Sequence, residues 1–113
     1  MIEEGEYIYV IQAEDSDLIK IGRSKQPTNR VGSLQTGCPY ELRIRLIWQV
    51  EDMKTAELLV HKAMKPFNVQ GQKPELRARE WFFMPEGGLE RVKQLVKGAV
   101  EVAQEIQLVR ENY

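Results

Sequence analysis

Apolar residues near the start of the chain fall into two short runs separated by a polar turn. Residues 7–11 are aromatic or β-branched, and residues 18–22 are mostly apolar, with four polar residues at 14–17 between the runs. Runs of this length, bounded by polar turns, are typical of β-strands. The pattern therefore predicts a hairpin with a loop of a few residues.

The next segment changes from the period of a strand to that of a helix and back. Pro27 suits the first position of a helix and Gly37 suits its left-handed end. Residues 42–50 return to alternation, with Arg43 and Arg45 between apolar neighbours. A short helix and a third strand are therefore expected.

The second half of the chain is expected to be mostly helical. Asp52 can cap a helix that runs to about Met64, and a polar loop follows at 68–79. The aromatic segment 80–84 could add a short strand or close over the core, and a final helix of about 20 residues follows. The order predicts an α/β (α+β) fold with a small, three-stranded, mainly antiparallel sheet flanked by helices and a long C-terminal helix.

Length and composition limit the class of protein. With 113 residues, of which 42% are apolar and 29% charged, the chain is expected to form a single domain, 1–113. Cys38 is the single cysteine, and no apolar run approaches the roughly 20 residues that span a bilayer. The first residues are acidic, unlike a signal peptide. We expect a cytoplasmic protein, in a bacterium or a phage-infected host cell, without membrane contact.

The final helix carries a heptad seam. Apolar residues recur at spacings of 3-4-3-4-3, namely Leu89, Val92, Val96, Ala99, Ala103 and Ile106. One interpretation is that the segment 85–113 packs on a core formed by 6–84. The other is that it pairs with a second copy in a homodimer.

Basic residues are concentrated in one part of the chain. Residues 17–50 hold six bases against two acids, although the net charge of the whole chain is -1. Arg23, Lys25 and Arg30 belong to this block, which either binds phosphate groups or is a solvated surface.

Two charged residues lie at the borders of predicted apolar helix faces. Arg30 adjoins the stripe of the first helix, where its donor fork can meet a phosphate or a structural carboxylate. Glu57 borders the stripe of the second helix, where it needs a cation or a metal ion as partner. His61, one turn later, can act as that partner.

Three polar residues belong to the predicted hairpin. Tyr7 and Tyr9 share one face of the first strand, as core residues or as reactive phenols. Lys20 interrupts an apolar strand, where it can protect a sheet edge, lower the pKa of a nearby phenol, or accept a proton.

Together these residues resemble the GIY-YIG nuclease superfamily over roughly residues 6–84. The similar features are Tyr7-Ile8-Tyr9, Lys20-Ile21-Gly22, Arg30 eight residues after that glycine, Glu57 in the next long helix and the segment Lys65-Pro66-Phe67-Asn68. The segments 34–39 and 80–82 look like a phage-type, DNA-binding branch of that superfamily.

The resemblance implies hydrolysis of DNA phosphodiester bonds with one Mg²⁺ or Mn²⁺ ion. By motif match, Glu57 would hold the metal and Arg30 would bind the scissile phosphate. Tyr9 would act as base or orient the nucleophile, and Lys20 would assist the proton transfer. Tyr7, His61 and Asn68 are possible supporting residues.

The sequence also leaves other functions open. Tyr7 and Lys20 replace a glycine and a tyrosine of the family motifs, and Leu34 stands where many active members have histidine. The alternatives to a DNA endonuclease are a catalytically weak or inactive DNA-binding module, or an interaction domain that uses the C-terminal helix.

Overall fold

A computed structural model describes residues 3–75 and 78–112 of the chain. The elements in order are β1 (Glu6–Ala13), β2 (Leu18–Ser24), α1 (Pro27–Gln35), β3 (Leu42–Val50), α2 (Met53–Ala63), a 3₁₀ turn (Lys65–Phe67), α3 (Val69–Gln72), β4 (Trp81–Phe83) and α4 (Gly88–Asn112). The loop predicted at 68–79 thus contains the short helix α3, and residues 76 and 77 of that loop lie outside the described residues.

The strands form one antiparallel sheet in the order β3-β1-β2-β4. The predicted α+β class with flanking helices and a long C-terminal helix is confirmed. The prediction of three strands is wrong, because residues 81–83 add a fourth strand to the outer edge of β2. This strand pairs the backbone groups that the edge of β2 would otherwise expose. Helix α4, with 25 residues, is also longer than predicted.

Apolar residues are buried on both faces of the sheet. The core between the sheet and helices α2 and α4, here the main core, includes Ile8, Val10, Ile19, Ile21, Ala56, Val60, Val92 and Val96. The smaller core under α1, here the α1 core, includes Tyr9, Ile11, Ala13 and Leu42, with Val31, Leu34 and Trp81 packed against them.

A β-bulge in β3 divides this strand between the two cores. Val10 of β1 pairs with Leu46, but the next residue, Ile11, pairs with Ile44. The backbone of Arg45 therefore has no pairing partner on β1. The predicted strict alternation therefore fails at this point: Ile44 packs in the α1 core and Leu46 packs in the main core. An inserted residue reverses the faces of all that follows in a strand.

Helix α2 begins at the predicted cap and is held against α4. The Asp52 side chain accepts hydrogen bonds from the backbone amides of Lys54 (3.1 Å) and Thr55 (3.2 Å). The Thr55 hydroxyl also donates to this carboxylate. Its hydrogen bond has the largest effect, and together with the backbone bonds it lowers the pKa of Asp52. Arg110, near the end of α4, lies 3.8 Å from the same carboxylate. The end of α4 is thus fixed beside the start of α2.

The heptad seam of α4 faces the protein: Val92, Val96, Ala99 and Ala103 are buried, and Leu89 and Ile106 are half-buried. The exposed apolar residues of α4 lie beside the seam, namely Val102, Leu108 and Val109, at 46%, 57% and 57% exposed. Pairing with a second copy through these side chains stays a prediction. Between residues 3 and 112, leaving aside 76 and 77, no helix is both long and apolar enough to cross a membrane.

Candidate functional site

Tyr9 is built into the sheet at the centre of the site. Its ring belongs to the α1 core and is 1% exposed, and Tyr9 pairs across the hairpin with Gly22. A Cβ atom at position 22 would lie 2.4 Å from the Tyr9 hydroxyl oxygen. Glycine is therefore required at this strand position, because the phenol occupies the space that any side chain would fill.

Arg30 reaches the hydroxyl of Tyr9 from α1. Burial raises the pKa of Tyr9 above its ordinary value of 10.0, and a hydrogen bond from Arg30 and its positive charge oppose this rise. Arg30 itself is exposed and has no ion pair within residues 3–75 and 78–112. Its guanidinium therefore remains accessible to an anion while it contacts the buried phenol.

Glu57 approaches the same point from α2. Its charge, and that of Glu80, contribute to the raised pKa of Tyr9. The Glu57 side chain is 15% exposed, and its nearest cation is Arg23, with Oε1 and Nη1 separated by 3.7 Å. This distance is too long for a hydrogen bond, so Glu57 keeps lone pairs free for another ligand.

Lys20 is held by a carboxylate that sequence reasoning did not assign. Its ammonium donates a short hydrogen bond to Glu80 and lies 5.9 Å from the centre of the Trp81 ring. Burial alone would raise the pKa of Glu80, but the hydrogen bond and charge of Lys20, with the charges of His61 and Arg30, lower it overall. Arg30 is the main group that lowers the pKa of Tyr9, an effect that one interpretation of the sequence assigned to Lys20.

A cleft of about 450 Å³ opens between the two carboxylates. It is lined by Glu57, His61, Asn68, Gln70, Arg79 and Glu80. The side-chain oxygen of Gln70 is buried and has no hydrogen-bond partner within the described residues. The cleft adjoins Tyr9 and Arg30 through Glu57 and Glu80, so elements distant in sequence supply one polar site.

The three possible supporting residues have defined contacts. The His61 ring nitrogen Nε2 lies 2.8 Å from the carbonyl oxygen of Ile21, and the ring packs on Phe82. Asn68 donates to the Arg79 carbonyl oxygen at 2.8 Å and accepts from the Gly71 amide at 2.9 Å. His61 and Asn68 both line the cleft, and these hydrogen bonds to backbone groups hold their side chains in place.

Tyr7 lies apart from the other predicted site residues. Its hydroxyl donates to the Glu3 carbonyl oxygen, and its ring is 5% exposed on the same face of β1 as Tyr9. Arg30, Glu57 and Glu80 influence the pKa of Tyr9, and Lys20 is paired with Glu80, whereas Tyr7 lies two residues before Tyr9 on β1. The roles expected for these residues stay predictions.

The basic block is less positive in the structure than in the sequence. Four of its six bases form ion pairs, namely Lys20 with Glu80, Arg23 with Glu57, and Arg43 and Arg45 with Asp15. Arg43 also pairs with Glu41, whose pKa it lowers. Within the described part of the chain, only Lys25 and Arg30 of the block have no such pair. The expected phosphate patch therefore narrows to these two residues.

The donor atoms of the cleft suit a hard divalent cation such as Mg²⁺. Glu57 presents free carboxylate lone pairs, Glu80 faces the same cleft, and Gln70 has an unpartnered amide oxygen. Mg²⁺ is commonly held by one or two carboxylates while it keeps several waters. Among the residues described, no group of three or more histidine, cysteine, aspartate or glutamate side chains forms a metal cage. The residues thus fit an open magnesium site centred on Glu57.

Sequence reasoning missed Glu80, Gln70 and Arg79. Glu80 could have been found from the sequence. A lysine inside an apolar strand requires a counter-charge, and Glu80 is an acidic residue directly before the aromatic segment Trp81–Phe83. Gln70 and Arg79 lie in a polar stretch without periodicity, so no pattern distinguished them from other loop residues.

Comparison with known proteins gives one match. The model of the T5orf172 domain matches residues 6–100, from the start of β1 to the middle of α4. No curated protein and no solved structure matches the chain. The matched segment contains every residue of the candidate site. Because the match covers most of its length, the chain belongs to the T5orf172 domain family.

Proposed function

We propose that this chain is a divalent-metal-dependent DNA endonuclease that hydrolyses phosphodiester bonds by a GIY-YIG-type, one-metal mechanism. The observation that carries the proposal is the polar cleft lined by Glu57 and Glu80, beside which the charges of Glu57 and Arg30, from different helices, influence the pKa of Tyr9 in β1. The site would thus combine a cation for a phosphate, a carboxylate for a metal and a phenol for proton transfer. Membership of the T5orf172 domain family supports a phage-type, DNA-related domain.

The accessible groups of the site would bind and polarise the phosphate. Arg30 is free to offer two parallel donors to the phosphate oxygens and to stabilise the charge that develops on them. Glu57 would hold the metal, with Glu80 and Gln70 beside it. When bound, Mg²⁺ or Mn²⁺ supplies positive charge next to the reacting phosphate.

The buried groups would handle the proton. The Tyr9 hydroxyl, in contact with Arg30, would orient the nucleophile or accept its proton. Lys20 is paired with Glu80, so it would assist by its charge. This arrangement leaves Arg30 as the group that favours ionisation of Tyr9.

Plasmid nicking with and without Mg²⁺ tests the proposal. Glu57→Ala and Arg30→Ala should each lower the nicking rate at least about 100-fold, because each removes a group that stabilises the transition state. Glu101→Ala and Arg91→Ala, which change the same charges at exposed positions of α4, serve as matched controls. Nicking that needs no metal, or that survives Glu57→Ala, would contradict the proposal.

A second candidate function is a DNA-binding module with little or no catalysis. The raised pKa of Tyr9 favours this alternative, because a buried phenol is a poor proton acceptor at neutral pH. In that case Arg30→Ala should weaken DNA binding, whereas Glu57→Ala should leave it unchanged or strengthen it by removing a negative charge. Retained binding without nicking by the wild-type protein would favour the module.

A further inference from the structure

The cleft at Glu57 continues into a second cleft. The second cleft, of about 580 Å³, shares His61 and Asn68 with the first and is also lined by Lys62, Lys65 and Gln72. His61 and Asn68 form the boundary between the two, and both are fixed by hydrogen bonds to backbone groups. The two clefts thus lie side by side at the end of α2, and together they are here called the groove.

The cations along this groove are free of internal partners. Lys62, Lys65 and Arg79 are exposed and form no ion pair within residues 3–75 and 78–112. By contrast, Lys20 and Arg23 on the other side of the site are paired with Glu80 and Glu57. An external anion would therefore meet unneutralised positive charge on the groove and much less on the predicted patch.

The end of α2 fixes the distance between Glu57 and these lysines along a bound strand. Glu57 and Lys62 belong to α2 and Lys65 begins the 3₁₀ turn that follows, so the eight steps from Glu57 to Lys65 span about 12 Å at roughly 1.5 Å per residue. One strand of a DNA duplex carries one phosphate about every 3.4 Å along the helix axis, so this length corresponds to about three nucleotides. A strand whose phosphate lies at Arg30 and Glu57 would thus place a further phosphate near Lys65.

We infer that Lys62 and Lys65, together with Arg79, form a second phosphate-binding surface for DNA, about three nucleotides from the reacting phosphate. The inference rests on the proposed function for the position of that reacting phosphate. This surface positions the strand and contacts only its backbone, so it confers affinity without sequence specificity.

DNA binding as a function of salt tests the inference. The double variant Lys62→Gln/Lys65→Gln is compared with Lys93→Gln/Lys97→Gln, which removes two exposed lysines of α4 that line neither cleft. Binding to a fluorescent DNA duplex is measured in EDTA, so that cleavage does not interfere. Each lost phosphate contact should reduce the slope of log K against log salt by about 0.9.

We expect the slope of the Lys62/Lys65 variant to be smaller by about two, so that its affinity falls roughly tenfold less than that of the wild-type protein between about 50 and 200 mM salt, with the α4 control unchanged. A slope equal to that of the wild-type protein would overturn the inference. So would a loss of thermal stability without a change in slope, which would mean that the lysines serve the C-terminal end of α2. Absence of DNA binding by the wild-type protein would overturn it as well.

Failure of the proposed function gives a different result. If nicking is absent or independent of Glu57 while the Lys62/Lys65 slope change is observed, the endonuclease is excluded and the phosphate surface stands. If nicking depends on Glu57 but the slope is unchanged, the surface is excluded and the endonuclease stands.

Discussion

The two halves of the candidate site differ in how their charged and polar groups are held. Arg30 is exposed and forms no ion pair within residues 3–75 and 78–112, and Glu57 accepts no hydrogen bond from those residues. Tyr9 and Lys20 are only 1% and 7% exposed, and Lys20 is bound by Glu80. The half that we propose binds the phosphate and the metal is thus accessible to a ligand, whereas the half proposed for proton transfer is packed and paired.

This difference shows that the two halves are subject to different constraints. Replacement of an exposed group such as Arg30 removes few packing contacts, so we expect it to alter folding less than it alters the reaction. Tyr9 fills the α1 core and covers Gly22, so its replacement alters packing together with chemistry. Variants of the buried half must therefore conserve shape if they are to report on the reaction.

The largest expected effect comes from Tyr9→Phe, which keeps the ring and removes the hydroxyl. If Tyr9 transfers the proton, the nicking rate should fall about 10²–10⁴-fold. Since burial raises the pKa of Tyr9 above 10.0, the wild-type rate should still rise with pH up to about that value. Nicking assays across alkaline pH, with circular dichroism to verify the fold, measure both effects.

The Tyr9→Phe variant also tests whether the buried half of the site takes part in the reaction at all. An unchanged rate and pH profile would show that the buried half is structural only, and that the binding half suffices for the reaction.

Gly22→Ala should produce the next largest effect. The added methyl group would lie 2.4 Å from the Tyr9 hydroxyl oxygen, so the ring or the strand must move. Overpacking of this kind typically lowers the free energy of unfolding by about 1–3 kcal/mol. Urea unfolding measures it, and Gly98→Ala in α4 is the matched control.

No heavy atom outside the helix backbone lies within 4 Å of a Cβ at position 98, so Gly98→Ala should stabilise the protein by about 0.5–1 kcal/mol. If Gly22→Ala and Gly98→Ala change the free energy of unfolding equally, the Tyr9 hydroxyl does not lie against Gly22 of β2.

Glu80→Gln should have a smaller effect on stability. It leaves the buried Lys20 ammonium without its counter-charge, and breaking a buried pair costs about 3–5 kcal/mol. The Glu80 side chain is 43% exposed, so water screens the pair and we expect a loss of about 1–2 kcal/mol in urea unfolding.

Lys20→Met, which removes the charge and fills the same space, should be nearly neutral. If Lys20→Met is the more damaging of the two, the lysine contributes more to stability than its ion pair with Glu80 accounts for.

The smallest expected effect is a pH dependence of stability at Glu80. Its pKa is lowered from 4.5 in the folded protein, so the stabilisation is present above 4.5 and is lost as the pH falls through the folded pKa. The difference in unfolding free energy between wild type and Glu80→Gln should therefore shrink from about pH 6 to about pH 3. A constant difference would mean that Glu80 acts through packing.

The sequence predicted those parts of the fold that local chemistry determines. The hairpin follows from two apolar runs around a polar turn, α1 begins at Pro27, and Asp52 caps α2 as expected. The sequence does not decide whether residues 81–83 form a strand, because three aromatic residues are too few to show a period. Their pairing with β2 makes them strand β4.

The candidate site was predicted less completely than the fold. Arg30 and Glu57 border apolar stripes, and that pattern placed both at the edge of the core. Sequence spacing did not show that Lys20 would bind Glu80, sixty positions away. Such partners depend on strand order, which periodicity does not specify.

The bulge at Arg45 makes the number of residues in β3 as important as their identity. A substitution at Arg45 would alter one side chain, which bonds Gln12 at 2.8 Å. Deletion of Arg45 would instead restore the regular ladder and rotate either the residues before it or those after it to the wrong face. Ile44 and Leu46 could then no longer serve separate cores, so losing one codon here should be far more harmful than changing it.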